Sequence, residues 1–95
     1  MVRYVWDTEK ERRNLAKHGL DFTFADVVFS DPYLAIVFDR IEDGEDRWHA
    51  IGRVDEHRIL LVVHSYPDPD DDELIRVIGL REVTRSERTR YEEGA

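Results

Sequence analysis

Ile59 to Val63 is an uninterrupted aliphatic run, ILLVV, framed by His57-Arg58 and His64-Ser65. A strand that is apolar at every position has no face to give to water, so this run marks a central strand covered on both sides. The remaining elements must supply that cover within 95 residues, which is enough for one core and one domain, residues 1–95. The segment Phe22 to Phe29 is the apolar stretch placed to pack on one face of the run as a short helix.

Around it the chain reads in short units. Val2–Trp6 is a first strand, and Thr8-Glu9-Lys10-Glu11 has the form of a capping box opening a helix that Gly19 closes. Only Leu15 and Ala16 are clearly apolar in that helix, so it docks through a thin stripe. Asp21 is placed to cap the second helix, and Asp31-Pro32 ends it, because proline disfavours helix in the residue before it. Tyr33–Phe38 forms a strand, Asp39–Asp46 an acidic connection, and Arg47–Val54 an alternating strand. A turn at Asp55-Glu56 leads into the central strand. Tyr66–Glu73 is a proline- and aspartate-rich loop, and the strand from Leu74 to Arg81 precedes a last, polar helix capped by Thr84 and Glu87. Sequential strands with short links favour an antiparallel meander, giving an α+β fold with the two N-terminal helices on one face.

A net charge of −8 argues against long-range attraction of nucleic acid. The acidity is local, however. Asp39–Asp46 holds five acids and one arginine, Asp68–Glu73 holds five acids and no base, and the rest of the chain is nearly balanced. There is no cysteine, which suits a reducing cytoplasm and rules out thiol chemistry. No apolar run approaches the ~20 residues of a membrane span, and MVRYVWD has no signal-type apolar segment, so a cytoplasmic protein is expected. The acidic loop at 66–73 lacks the glycine and closing glutamate of a calcium loop, and no metal or cofactor is expected.

With no nucleophile elbow and no glycine-rich phosphate loop, the chemical inventory is arginines, histidines and Lys17. Arg81 ends the last strand, and Arg85 and Arg88 open the last helix ahead of Tyr91. Planar guanidiniums at such a corner suit phosphate, although Glu82 and Glu87 offer an equally ready ion-paired alternative. Lys17 and His18 end the first helix, where the macrodipole also favours cations. His18 and His64 are the candidate acid–base groups for RNA cleavage, in which a base takes the 2′-hydroxyl proton and cations stabilise the phosphorane. An even hairpin loop at Asp55-Glu56 sets Arg47 opposite His64 and His49 opposite Val62, which gathers Arg47, His49 and His64 on one face. An odd loop or a bulge removes that grouping.

Four segments in order, VWDTEKERRNLAKHGLDF, ADVVFSDP, EDRWHAIGRVDEHRILLVVHSY and IRVIGLREVTRSERTRYEE, resemble the BrnT family of toxins from bacterial type II toxin–antitoxin pairs. The resemblance implies a RelE-like fold and a ribonuclease that arrests translation. It also implies a BrnA-type ribbon-helix-helix antitoxin that binds the toxin and carries operator DNA binding. By position, Lys17 and His18 match the family's lysine and histidine, Arg47 the arginine starting the third strand, Arg76 and Arg81 those of the last strand, and Glu87 to Tyr91 the terminal motif. Taken together, Lys17, His18, Arg81 and Arg85 are the candidate catalytic residues, and Arg47, His64, Arg76, Arg88 and Tyr91 the candidate RNA contacts. The chain departs from the family at Gly79-Leu80, where a Ser-Ala pair is usual, at Glu82, where a lysine is usual, and in the acidic 67–73 loop. The last two departures remove positive charge and favour a second possibility, a non-catalytic module that binds an antitoxin and serves operon repression.

Overall fold

The computed structural model describes residues 1–94. The elements are β1 (Arg3–Val5), α1 (Thr8–His18), α2 (Phe24–Phe29), β2 (Ala35–Glu42), β3 (Glu45–Arg53), β4 (Ile59–Ser65), β5 (Leu74–Glu82) and α3 (Arg85–Glu92). They form a small α+β domain around one five-stranded sheet of order β1-β5-β4-β3-β2. Strands β2 to β5 are the expected antiparallel meander. The sheet as a whole is mixed, because β1 pairs parallel to β5 through Arg3, Tyr4 and Val5. No helix among the described residues is long and apolar enough to cross a membrane.

The ILLVV run is central, as its composition requires. Leu60 and Val62 face α2 with Leu20, Phe22, Ala25, Val28, Ala50, Val77 and Leu80. Ile59 and Leu61 face the opposite side, where Ile51 joins them and Val83 and Tyr91 cover them. The polar C-terminal helix therefore lies across the sheet from α2, held by one apolar anchor. Gly52 explains how closely α2 approaches: a Cβ there would stand 2.5 Å from the Val28 carbonyl oxygen. Asp31 ties three parts together, accepting hydrogen bonds from the Tyr33 and Arg53 amides and from the Tyr91 hydroxyl.

Helix α1 buries no residue completely. It is fixed by Asn14, whose side-chain amide donates to the Leu80 carbonyl at 2.8 Å and accepts from the Leu80 amide at 3.0 Å. That is the pattern of one more strand residue, supplied by a side chain to the part of β5 that β1 does not reach.

Several local expectations are corrected. The cap of α1 is Asp7, whose carboxylate accepts from the Glu9 and Lys10 amides, rather than the Thr8 box. Glu11 instead accepts from the Trp6 indole and the Phe22 amide. Asp21 makes a turn with Thr23, and α2 starts only at Phe24. The acidic connection is mostly strand. Asp43 and Gly44, both at positive φ, make a two-residue turn, and β2 and β3 run up to either side of it.

The register between β3 and β4 is the most consequential correction. Trp48 lies opposite His64 and His49 opposite Val63, one residue away from the expected pairing. The connection is odd: it covers residues 54–58 and closes with Asp55 accepting from the His57 and Arg58 amides. A slip of one exchanges faces. His64 therefore points to the α2 side, and the grouping of Arg47, His49 and His64 does not form.

Candidate functional site

The face of the sheet away from α2 carries the charged residues. In β3, Arg47 and His49 alternate with the core-facing Trp48 and Ala50, and in β5 Arg76 and Arg81 point the same way by their pairing with Ser65 and Leu61. The Arg47 side chain is only 12 % exposed and lies 3.6 Å from one Glu45 oxygen, while Arg76 donates to the other at 2.9 Å. One carboxylate thus bridges two guanidiniums. Glu42 adds a contact to Arg47 at 3.5 Å, and Arg47 Nε has no hydrogen-bond partner among the described residues. Asp7 and Lys10 at the start of α1 line the same recess.

Further along β5, Arg81 forms a two-pronged pair with Glu87 at 2.8 and 3.0 Å. Glu87 Oε1 also accepts from the Thr84 amide, and Thr84 accepts from the Glu87 amide, so the capping box read from the sequence is present and locks Arg81 to the start of α3. The Glu87 pair raises the Arg81 pKa, with Asp39 adding to the effect, and the Arg81 hydrogen bond pulls Glu87 down to about 2. Asp39 lies at a bulge in β2 and reaches His49 at 3.4 Å. A histidine–carboxylate pair therefore shares a face with Arg47, Arg76 and Arg81.

The other candidates are placed as follows. Lys17, His18 and Arg85 are exposed, and among the described residues their side chains make no hydrogen bond or ion pair. Helix α1 runs beside β5 in the same direction, since Lys10 neighbours Val77 while Asn14 bonds Leu80. Lys17 and His18, one turn beyond Asn14, therefore lie toward the Arg81 end of β5. Arg88 donates to the His57 carbonyl at 3.0 Å and Tyr91 to Asp31, so both seat α3. His64 is fully buried between Phe29 and Tyr66, with ring centroids 5.1 Å from each, and its pKa is lowered to about 4, chiefly by burial. It cannot touch RNA on the charged face, and its assignment as an RNA contact is withdrawn.

Asp39, His49, Glu45 and Lys10 belong to this face and were not among the candidates. The bulge that turns Asp39 toward His49 leaves no mark in the pattern of residue types. Lys10 is one of several charges on a helix whose docked side is set by Asn14.

Chemically, the face offers fixed cations for phosphate oxygens and an imidazole for proton transfer. Each arginine already faces a carboxylate, so an RNA phosphate must compete with Glu45 or Glu87.

Comparison with known proteins places this geometry. The model of a family described as the ribonuclease toxin BrnT of type II toxin–antitoxin systems matches residues 6–87. The crystal structure of the Brucella abortus ribonuclease toxin BrnT is similar, with a TM-score of 0.61 and 28 % sequence identity over 90 % of this chain and 100 % of that one. No curated protein matches the chain.

Proposed function

Because the chain belongs to the BrnT family of ribonuclease toxins from type II toxin–antitoxin systems, we propose that it cleaves RNA without a metal ion on the charged face of its sheet and so inhibits translation. Its antitoxin is a BrnA-like ribbon-helix-helix protein that also carries operator DNA binding, and both act in the cytoplasm. The observation that carries this reading is the convergence of Arg47, Arg76 and Arg81 from two strands on one face, beside the Asp39–His49 pair.

In this mechanism the ribose 2′-oxygen attacks phosphorus, the bond to the leaving oxygen breaks, and negative charge accumulates on the phosphorane oxygens. Arg81, fixed in orientation by Glu87, meets that charge with Arg85 beside it at the helix start. Arg47 and Arg76 hold neighbouring phosphates. Lys17 and His18, at the rim toward Arg81, take part in proton transfer. Arg88 and Tyr91 serve indirectly by holding α3 in place.

The test is cleavage of a mixed RNA by the purified protein in EDTA. Arg81→Ala is expected to lower the rate ~10²-fold or more, by analogy with loss of one oxyanion donor. Arg81→Lys should recover part of it, because a point charge replaces the fork. Dependence on an added divalent ion would overturn the metal-free route, and full activity in Arg81→Ala would overturn the assignment of that arginine. The non-catalytic reading draws on the carboxylates that already hold the arginines. Tight antitoxin binding with no RNA cleavage by the free protein would establish it.

A further inference from the structure

The edge of the sheet at β2 is open, and its chemistry is unusual for an open edge. Among the described residues β2 pairs only with β3, which leaves the outward backbone groups of Ala35–Glu42 without a strand partner there. Soluble proteins usually blunt such an edge by shortness, cover or charge. Here Ile36, Phe38 and Ile41 are 43, 47 and 67 % exposed. Their partners across β3 are Ala50, Trp48 and Asp46, so all three lie on the α2 side of the sheet. Arg40 and Glu42 lie on the other side, opposite Arg47 and Glu45, and the bulged Asp39 reaches His49 there. The edge is thus apolar along one face, while along the other Ala35 and Val37 give way to Asp39, Arg40 and Glu42 toward an acidic hairpin tip.

We propose that β2 receives an added strand from a basic segment of the antitoxin, about eight residues long, in which apolar residues alternate with lysine or arginine. An added strand gains main-chain hydrogen bonds along its length and specificity from alternate side chains. Its apolar residues would cover Ile36, Phe38 and Ile41, and its basic ones would meet the hairpin tip and compete with Arg40, Arg47 and His49 for Asp39 and Glu42. Asp43, at the tip, has no ion-pair partner among the described residues, nor has Asp46, which lies on the α2 side opposite Ile41. Charge also decides against a second copy of this chain as the occupant, since each copy carries −8. A basic strand at this rim would lie one strand away from Arg47 and His49, close enough to obstruct RNA on the charged face. The identity of the partner rests on the toxin–antitoxin reading; the open edge does not.

The experiment uses the full isotopically labelled protein and a terminally capped eight-residue peptide alternating lysine and valine. Backbone amide shifts and slowed hydrogen exchange are expected within residues 35–42, with no response to the glutamate–valine counterpart. The double variant Phe38→Lys, Ile41→Lys should weaken peptide binding at least tenfold with its melting temperature little changed. Equal response to both peptides, protection elsewhere, no binding, or self-association through β2 in sedimentation would overturn the proposal. RNA cleavage is measured separately, so a protein that takes the lysine peptide yet leaves RNA intact loses the ribonuclease reading alone.

Discussion

His64 has no access to solvent, and its Nε2 has no hydrogen-bond partner among the described residues. Burial lowers its pKa from 6.5 to about 4. Between those values the unfolded chain binds a proton that the folded chain refuses, so stability rises with pH there. The contribution is complete above about pH 6.5 and is lost as the pH falls toward 4. At ~1.4 kcal/mol per pKa unit, about 2 kcal/mol should disappear between neutral pH and pH 5. The depressed carboxylates Asp55 and Glu87 release their share only at lower pH, below their unfolded values near 4. Denaturant titrations of wild type and His64→Phe should diverge in that upper window, with the variant flatter; parallel curves would sink the assignment. Gly52 is a second point of intolerance. A methyl group there collides with the Val28 carbonyl, so Gly52→Ala should lower stability by about 1–3 kcal/mol through displacement of α2. An unchanged melting temperature would show that α2 gives way freely.

At the scale of elements, α3 is attached by few contacts, and each can be removed singly. Val83 and Tyr91 provide its apolar seat, Asp31 receives the Tyr91 hydroxyl, and Arg88 reaches the His57 carbonyl. Tyr91→Phe keeps the ring and leaves Asp31 bonded to two amides, so the expected loss is about 1 kcal/mol. Faster amide exchange confined to 85–92 would report it, whereas an equal change throughout the sheet would contradict local docking. The helix ends were legible in the sequence where one residue acts alone: Gly19 at a φ of 70° and the Thr84–Glu87 box both formed. They were misread where two residues compete. Asp7 precedes Thr8, and its carboxylate took the cap because Glu11 was drawn to Trp6 and Phe22. Such competition is settled by tertiary position, which residue types alone do not carry.

For the molecule as a whole, the central strand and the order of elements were readable from ILLVV and its neighbours. Leu61→Ala should cost about 2–5 kcal/mol, since Leu61 is fully buried; thermal neutrality would contradict its central place. The charged face was only half readable. Arg47 with His49 follows from alternation within β3, but Arg76 and Arg81, five residues apart, share a face only through an irregularity in the β4–β5 pairing, and His64 was misplaced by a loop one residue longer than the two sides of the hairpin suggest. Register depends on the hydrogen bonds of Asp55, which the alternation on either side does not encode.

The side-chain amide of Asn14 also limits how the sheet can grow. It occupies the outward backbone of β5 at Leu80, and among the described residues the only strand beyond β5 is the three-residue β1. A sheet with two long free edges can be extended repeatedly from molecule to molecule, which is the route to fibres. This one has a single long opening, at β2. Its own valence for strand addition is one: copies of this chain could join edge to edge at β2 only as a pair, and growth to a third copy would need a second long edge that the described residues do not offer.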